Sequence, residues 1–182
     1  MSRIDESRPF LPVRIAVLTV SDTRTVKEDK SGTLLASLLT EAGHELAAHE
    51  IVRDEIPEIQ AKVQGWIDDP SVDVVLTTGG TGFTGRDVTP EAVRPLFEKE
   101  IDGFSALFHM QSFEKVGTST IQSRACGGVA GGTYIFCVPG SPGACKDAWN
   151  GILKHQLDIR HRPCNFVEIM PRLQEHLEPT GG

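Results

Sequence analysis

Residues 74–91 carry the densest chemistry in the chain: Val-Val-Leu-Thr-Thr-Gly-Gly-Thr-Gly-Phe-Thr-Gly-Arg-Asp-Val-Thr-Pro-Glu. An apolar run that breaks into glycines leaves backbone N–H groups unshielded, and glycine lets them turn inward on an anion. Asp87 stands beside this loop, and a carboxylate next to a phosphate cradle is a natural magnesium ligand. Two familiar patterns overlap here. Gly80, Gly82 and Gly85 satisfy the dinucleotide-binding spacing, but Asp87 and Pro90 delay the helix that should open inside the loop. The acid expected about 20 residues further on is replaced by Ser105. Gly80 and Gly85 also match the glycines of a Walker loop, yet Arg86-Asp87 replaces its lysine and hydroxyl residue. A tight turn explains the glycines equally well on spacing alone. Asp87 is what favours a phosphate-bearing ligand.

Weaker candidates surround the loop. Asp54-Glu55 follows an apolar run and on spacing alone suits a solvated turn at the positive end of a helix. Ser21-Asp22 closes another such run. Thr118, Ser119 and Thr120 with Ser123-Arg124 form a hydroxyl-rich stretch ending in a cation, either plain turn chemistry or a second anion site. Residues 139–143, Pro-Gly-Ser-Pro-Gly, are a second glycine-rich loop after a strand. His44 and His49 enclose one residue too many for a zinc helix, and in a strand they would face opposite ways.

The elements that must position these residues alternate in type. Residues 14–21, 45–52, 72–77 and 133–138 read as strands, being apolar and rich in β-branched side chains. Between them lie helical patterns: one capped by Ser31 with Leu34, Leu35, Leu38 and Leu39, one opened by Pro57 with Ile59, Val63, Trp66 and Ile67. Thr89-Pro90 opens another, residues 101–113 a further one, and Ser141-Pro142 the last, with Ala148, Trp149 and Ile152 on its apolar side. Such alternation predicts an α/β three-layer sandwich, a mostly parallel central sheet with helices on both faces. Ligands in such sheets bind outside the carboxyl ends of the strands, where the glycine loop falls. If the second and third strands are neighbours, Asp54 and Asp87 face one cleft.

A chain of 182 residues suits one domain, here 13–165, between an arm at 1–12 and an irregular, proline-broken tail at 166–182. The formal charge of −7 argues against nucleic acid as a partner, since such binding needs clustered cations. No run is long and apolar enough for a bilayer, and residues 1–10 lack the apolar core of a secretory signal. Cys126, Cys137, Cys145 and Cys164 match no zinc or redox spacing, so free thiols and a cytoplasmic location are expected.

Taken together, Val20-Ser21-Asp22, Asp29-Lys30-Ser31-Gly32, Thr77-Thr78-Gly79-Gly80-Thr81-Gly82, Asp87-Val88-Thr89-Pro90-Glu91-Ala92, Ser123-Arg124 and Pro139-Gly140-Ser141-Pro142 resemble the MogA/MoaB family of molybdenum-cofactor biosynthesis proteins. The stretch Phe113-Glu114 to Arg124 and the run Arg162 to Phe166 are similar to its MoaB branch. The resemblance spans residues 13–165 and implies the family's molybdopterin-binding fold. It implies magnesium-dependent transfer of an adenylyl group from ATP to molybdopterin, with release of pyrophosphate. Asp54 and Asp87 would be the catalytic, metal-holding acids, and Arg53 and Arg86 could help bind pyrophosphate. Ser21, Asp22, Thr78, Gly79, Gly80, Thr81 and Gly82 would bind the substrates. So would Ser119, Ser123, Arg124, Pro139, Gly140, Ser141, Pro142 and Gly143. A homo-oligomer, trimer or hexamer, and contacts with other proteins of the pathway are implied as well. A non-catalytic molybdopterin carrier would have the same pocket; ATP consumption separates the two.

Overall fold

The computed structural model describes residues 3–25 and 27–177. Its strands are β1 (Arg3–Ile4), β2 (Arg14–Val20), β3 (Glu45–Val52), β4 (Val74–Thr78), β5 (Lys99–Glu100), β6 (Cys126–Ala130), β7 (Thr133–Val138) and β8 (His161–Arg162). Its helices are α1 (Lys30–Glu41), α2 (Ile56–Ile67), α3 (Thr89–Val93), α4 (Asp102–Val116), α5 (Pro142–Ala148), α6 (Lys154–Gln156) and α7 (Phe166–Ile169). Six strands form the central sheet in the order β3-β2-β4-β7-β6-β5. The four strands β3, β2, β4 and β7 run parallel; β6 is antiparallel to β7, and β5 to β6.

Alternation along the strands splits the core into two layers. Ile15, Val17, Val74, Leu76, Tyr134 and Phe136 point to one face, where Leu35 and Leu39 of α1, Phe104 and Phe108 of α4, and Cys145 and Ala148 of α5 cover them. Ala16, Leu18, Val75, Ile135 and Cys137 point to the other, under Ile59, Val63 and Trp66 of α2 and Ala92 and Val93 of α3. Each fully buried aliphatic side chain contributes about 1.5–3 kcal/mol over exposure. The expected three-layer α/β architecture is therefore present.

Three expectations need correction. The cap of α1 is Asp29, whose carboxylate accepts from the Gly32 N–H at 2.8 Å, and not Ser31, which is buried and donates to the Gly140 carbonyl at 3.2 Å. The stretch after residue 165 is no loose tail as far as it is described. Phe166 stacks on Phe136 and packs on Tyr134, and the Tyr134 hydroxyl donates to the Phe166 carbonyl at 3.1 Å. Residues 126–130, read as no element, form β6, because their hairpin partner β7 supplies the order that Gly127 and Gly128 do not.

Candidate active site

The carboxyl ends of β2, β4 and β7 form the floor of a cleft. At the end of β4 the chain must reverse within two residues, and Gly79 and Gly80 do so at φ 102° and 63°, where a side chain is strained. A Cβ on Gly80 would also meet an Asp54 carboxylate oxygen at 2.8 Å. Thr89, the first residue of α3, ties the loop back: its N–H donates to the Gly80 carbonyl at 2.9 Å and its hydroxyl to the Gly79 carbonyl at 2.9 Å.

Arg124 clamps the loop from the far side. Its backbone N–H donates to the Thr81 carbonyl at 3.0 Å, Nε to the Gly82 carbonyl at 2.8 Å and Nη2 to the Asp87 carbonyl at 2.8 Å. Its Nη1 pairs with Glu91, and its guanidinium lies 5.6 Å from the ring of the exposed Phe83. The implied role of Arg124 as a substrate ligand is thus overlaid by a positioning role. Asp87 sits inside the loop it follows, accepting from the Thr84 N–H at 2.8 Å and the Thr84 hydroxyl at 2.6 Å. Burial works to raise its pKa, but these bonds and one from the Gly82 N–H prevail and hold it below the usual aspartate value.

Asp54 reaches the same cleft by a different route than expected. Its strand β3 is not the neighbour of β4; β2 lies between them. The chain after β3 instead bends over the end of β2, and the Asp54 N–H donates to Asp22 Oδ1 at 3.2 Å. The Asp54 carboxylate is half-buried and has no side-chain hydrogen-bond or ion-pair partner among the described residues; only the Asp22 backbone N–H approaches it. Burial raises its pKa first, and the charges of Asp22 and Asp87 raise it further, against the Asp22 N–H and the Arg86 charge, which lower it. Arg86 answers part of this negative charge: its Nε and Nη2 donate to Asp22 at 2.8 and 2.9 Å, and Nη2 meets Glu55 at 2.9 Å. That pairing lowers the Asp22 pKa. An unpartnered carboxylate beside a second one, both facing a glycine loop, suits a divalent cation held together with phosphate.

The cleft continues into a cavity of about 830 Å³. Of the seventeen substrate- and metal-binding residues the resemblance implies, thirteen line it: Ser21, Asp54, Gly79, Gly80, Thr81, Gly82, Asp87, Ser119, Ser123, Pro139, Gly140, Ser141 and Gly143. Four do not. Asp22 is occupied by Arg86, and Arg124 by the loop carbonyls. Thr78 is buried and donates to the Pro139 carbonyl at 3.1 Å, while Pro142 opens α5 behind the Ser141 cap. The sequence reading missed the opposite wall, formed by Phe108, Ser112, Lys115 and Val116 of α4, with Lys115 paired to Asp147. Their spacing of four, three and one residues is helical, so the register of α4 held that signal. Arg24 was missed too; its Nη2 donates to the Gly140 carbonyl at 2.9 Å, and nothing in its local sequence marks it. The two histidines are apart. His44 is buried and accepts from the Val13 N–H at 3.3 Å, whereas His49 meets the buried Asp29 at 2.9 Å. Among the described residues no three His, Cys, Asp or Glu side chains cluster as a metal site, and no helix is long and apolar enough to cross a membrane.

This fold and cleft have close counterparts. Residues 16–159 match the family described as "Probable molybdopterin binding domain". Over 160 residues the chain is 51% identical to molybdenum cofactor biosynthesis protein B of Escherichia coli strain K12, covering 88% of this chain and 94% of that protein. The Bacillus subtilis protein of the same name is 50% identical over 146 residues, covering 80% and 86%. A crystal structure of a molybdenum cofactor biosynthesis protein B superposes with a TM-score of 0.83 at 44% identity, covering 92% of this chain and 99% of that one. The tungsten cofactor synthesizing protein MoaB from Pyrococcus furiosus gives a TM-score of 0.71 at 37% identity, covering 79% and 92%. The chain belongs to the MogA/MoaB family of molybdenum-cofactor biosynthesis proteins.

Proposed function

We propose that the protein adenylylates molybdopterin. The terminal phosphate oxygen of molybdopterin attacks the α-phosphorus of ATP, the bond from that phosphorus to the β-phosphate oxygen breaks, and pyrophosphate leaves. Chemistry of this kind asks for position and charge neutralisation more than for covalent help. The observation that carries the reading is the placement of the unpartnered Asp54 carboxylate beside Asp87 at the mouth of the glycine loop. A bound magnesium ion would supply charge neutralisation at the phosphates, held by Asp54 and Asp87. Loop N–H groups between residues 80 and 85, other than that of Thr84, which Asp87 holds, would face phosphate oxygens. The long cavity behind them, with Ser112, Ser119 and Ser123 on its wall, has room for a pterin beside the nucleotide.

The same reading makes the protein a cytoplasmic homo-oligomer that works with other proteins of the pathway. Leu107, Met110 and Phe113 are exposed on α4, with Ile121 just beyond it, and an apolar patch of that kind supports self-association. The deciding experiment incubates purified protein with molybdopterin, ATP and Mg²⁺. Adenylylated pterin and stoichiometric pyrophosphate are expected. Pterin binding with no pyrophosphate release would instead make the protein a carrier.

A further inference from the structure

Arg86 occupies an unusual place. It precedes Asp87 in the glycine loop, yet its side chain leaves the loop and crosses to Asp22 after β2 and to Glu55 before α2. One guanidinium thus joins three segments that meet at the cleft mouth. The contacts are well formed, at 2.8–2.9 Å, but all three side chains are substantially exposed, Arg86 at 55%, Asp22 at 35% and Glu55 at 49%. Exposed pairs contribute little to stability. The bridge is therefore well placed geometrically and cheap to break.

Charge gives the bridge a purpose. Asp22, Asp54, Glu55 and Asp87 gather around the mouth, and Asp54 has no cationic partner among the described residues. We propose that Arg86 is the resident counter-ion of this acidic rim, paired with Asp22 and Glu55 in the free protein and transferred to a polyphosphate when a divalent cation takes over the acids. This rests on the adenylylation reading for its ligand, but the rim and the bridge stand independently of turnover. Arg86 is then a positioning residue in the free protein and a phosphate ligand in the loaded one.

The two roles predict effects of opposite sign. Binding of Mn²⁺ alone, followed by electron paramagnetic resonance, should tighten about tenfold in Arg86→Gln. That is the effect of removing one unit charge about 6 Å from a divalent ion at an effective dielectric constant of about 80, as suits an exposed rim. Binding of inorganic pyrophosphate in the presence of Mg²⁺, followed by calorimetry, should weaken about tenfold in the same variant. Arg86→Lys keeps the charge and should stay near wild type in Mn²⁺ binding, which separates charge from shape. Unchanged or weaker Mn²⁺ binding in Arg86→Gln, with its melting temperature preserved, overturns the counter-ion assignment. Tighter Mn²⁺ binding with unchanged pyrophosphate binding overturns the transfer to phosphate. If both shifts occur and the wild-type protein still makes no adenylylated pterin, the assignment of Arg86 stands and the adenylylation reading falls.

Discussion

Replacing Asp54 by asparagine should stabilise the free protein while weakening its activity. The carboxylate is half-buried, has no side-chain donor among the described residues, and faces Asp22 and Asp87. Burial and these two charges raise its pKa above the ordinary 3.8. The native state therefore holds the proton more tightly than the unfolded chain, so stability falls as pH rises from about 3.8 through the raised value and stays lower above it. Asparagine removes that penalty and keeps the shape. Opposing this is the start of α2 two residues on, where a negative charge gains about 0.3–1 kcal/mol from the helix dipole. Burial together with two like charges is expected to outweigh one helix start. At a partly solvated site the net gain is about 0.5–1 kcal/mol, or about 1–4 °C in melting temperature for a domain of this size. Thermal melts of both proteins from pH 3.5 to 8 test this. The difference should be near zero at the acid end and grow to a plateau above the raised pKa. Activity tests the other half: Asp54→Ala should raise the magnesium midpoint for turnover, with Asp54→Glu in between. An Asp54→Asn protein less stable than wild type at pH 7 would show that the dipole dominates. An unchanged magnesium midpoint in Asp54→Ala would reduce Asp54 to a helix-start acid.

Asp87→Asn should cost about 10²–10³ in turnover and leave melting within about 1 kcal/mol, because asparagine can still accept from the Thr84 N–H; near-normal kinetics would remove Asp87 from the reaction. Gly82→Val should cost about a hundredfold in turnover by displacing Asp87, since even a Cβ there would lie 2.8 Å from Asp87 Oδ2. The φ of Gly82 is not left-handed, so the loss should show as missing nucleotide protection against heat and only a modest change in the free protein's melting. All four cysteines should be free thiols, with Cys164 alkylated in the native state and buried Cys126, Cys137 and Cys145 only after unfolding. Burial also lifts the Cys145 thiol to about 11. Mass measurement of unreduced protein should count four additions after denaturation.

The layers of the fold were legible because their signal is periodic. Ile59, Val63 and Trp66 repeat at helical spacing and do face one layer of the core, and residues 133–138 are apolar enough to be buried on both faces. The glycine loop was legible because its residue types are tied to backbone shape. What escaped depends on partners far away in sequence. β6 is glycine-rich and exists through its hairpin with β7. Asp29 and Ser31 are both good capping residues, and the choice between them is made by Thr19 and His49, which donate to Asp29 at 2.6 and 2.9 Å from two different strands. Lys115 and Asp147 meet across 32 positions, so neither marks the cavity alone.

The failure of the glycine loop to fit either familiar phosphate template has a physical reading. Those templates place the first turn of a helix against the phosphate and use its dipole. Here α3 begins only at Thr89 and runs five residues, so it has little dipole to offer. Arg124 does the orienting instead. In a planar trans peptide the N–H points opposite to the carbonyl. By drawing the carbonyls of Thr81 and Gly82 to one side, Arg124 turns the N–H groups of Gly82 and Phe83 to the other. Beside Gly82 the Thr84 N–H and hydroxyl already hold the Asp87 carboxylate, so the loop holds its own anion. A bare phosphate entering the loop must compete with that carboxylate. A phosphate that arrives with a divalent cation gives Asp87 a new partner as it takes the N–H groups. On the proposed reading, the charge of the loop favours a metal-bound polyphosphate over a free anion, without the lysine and hydroxyl pair that the Walker pattern requires.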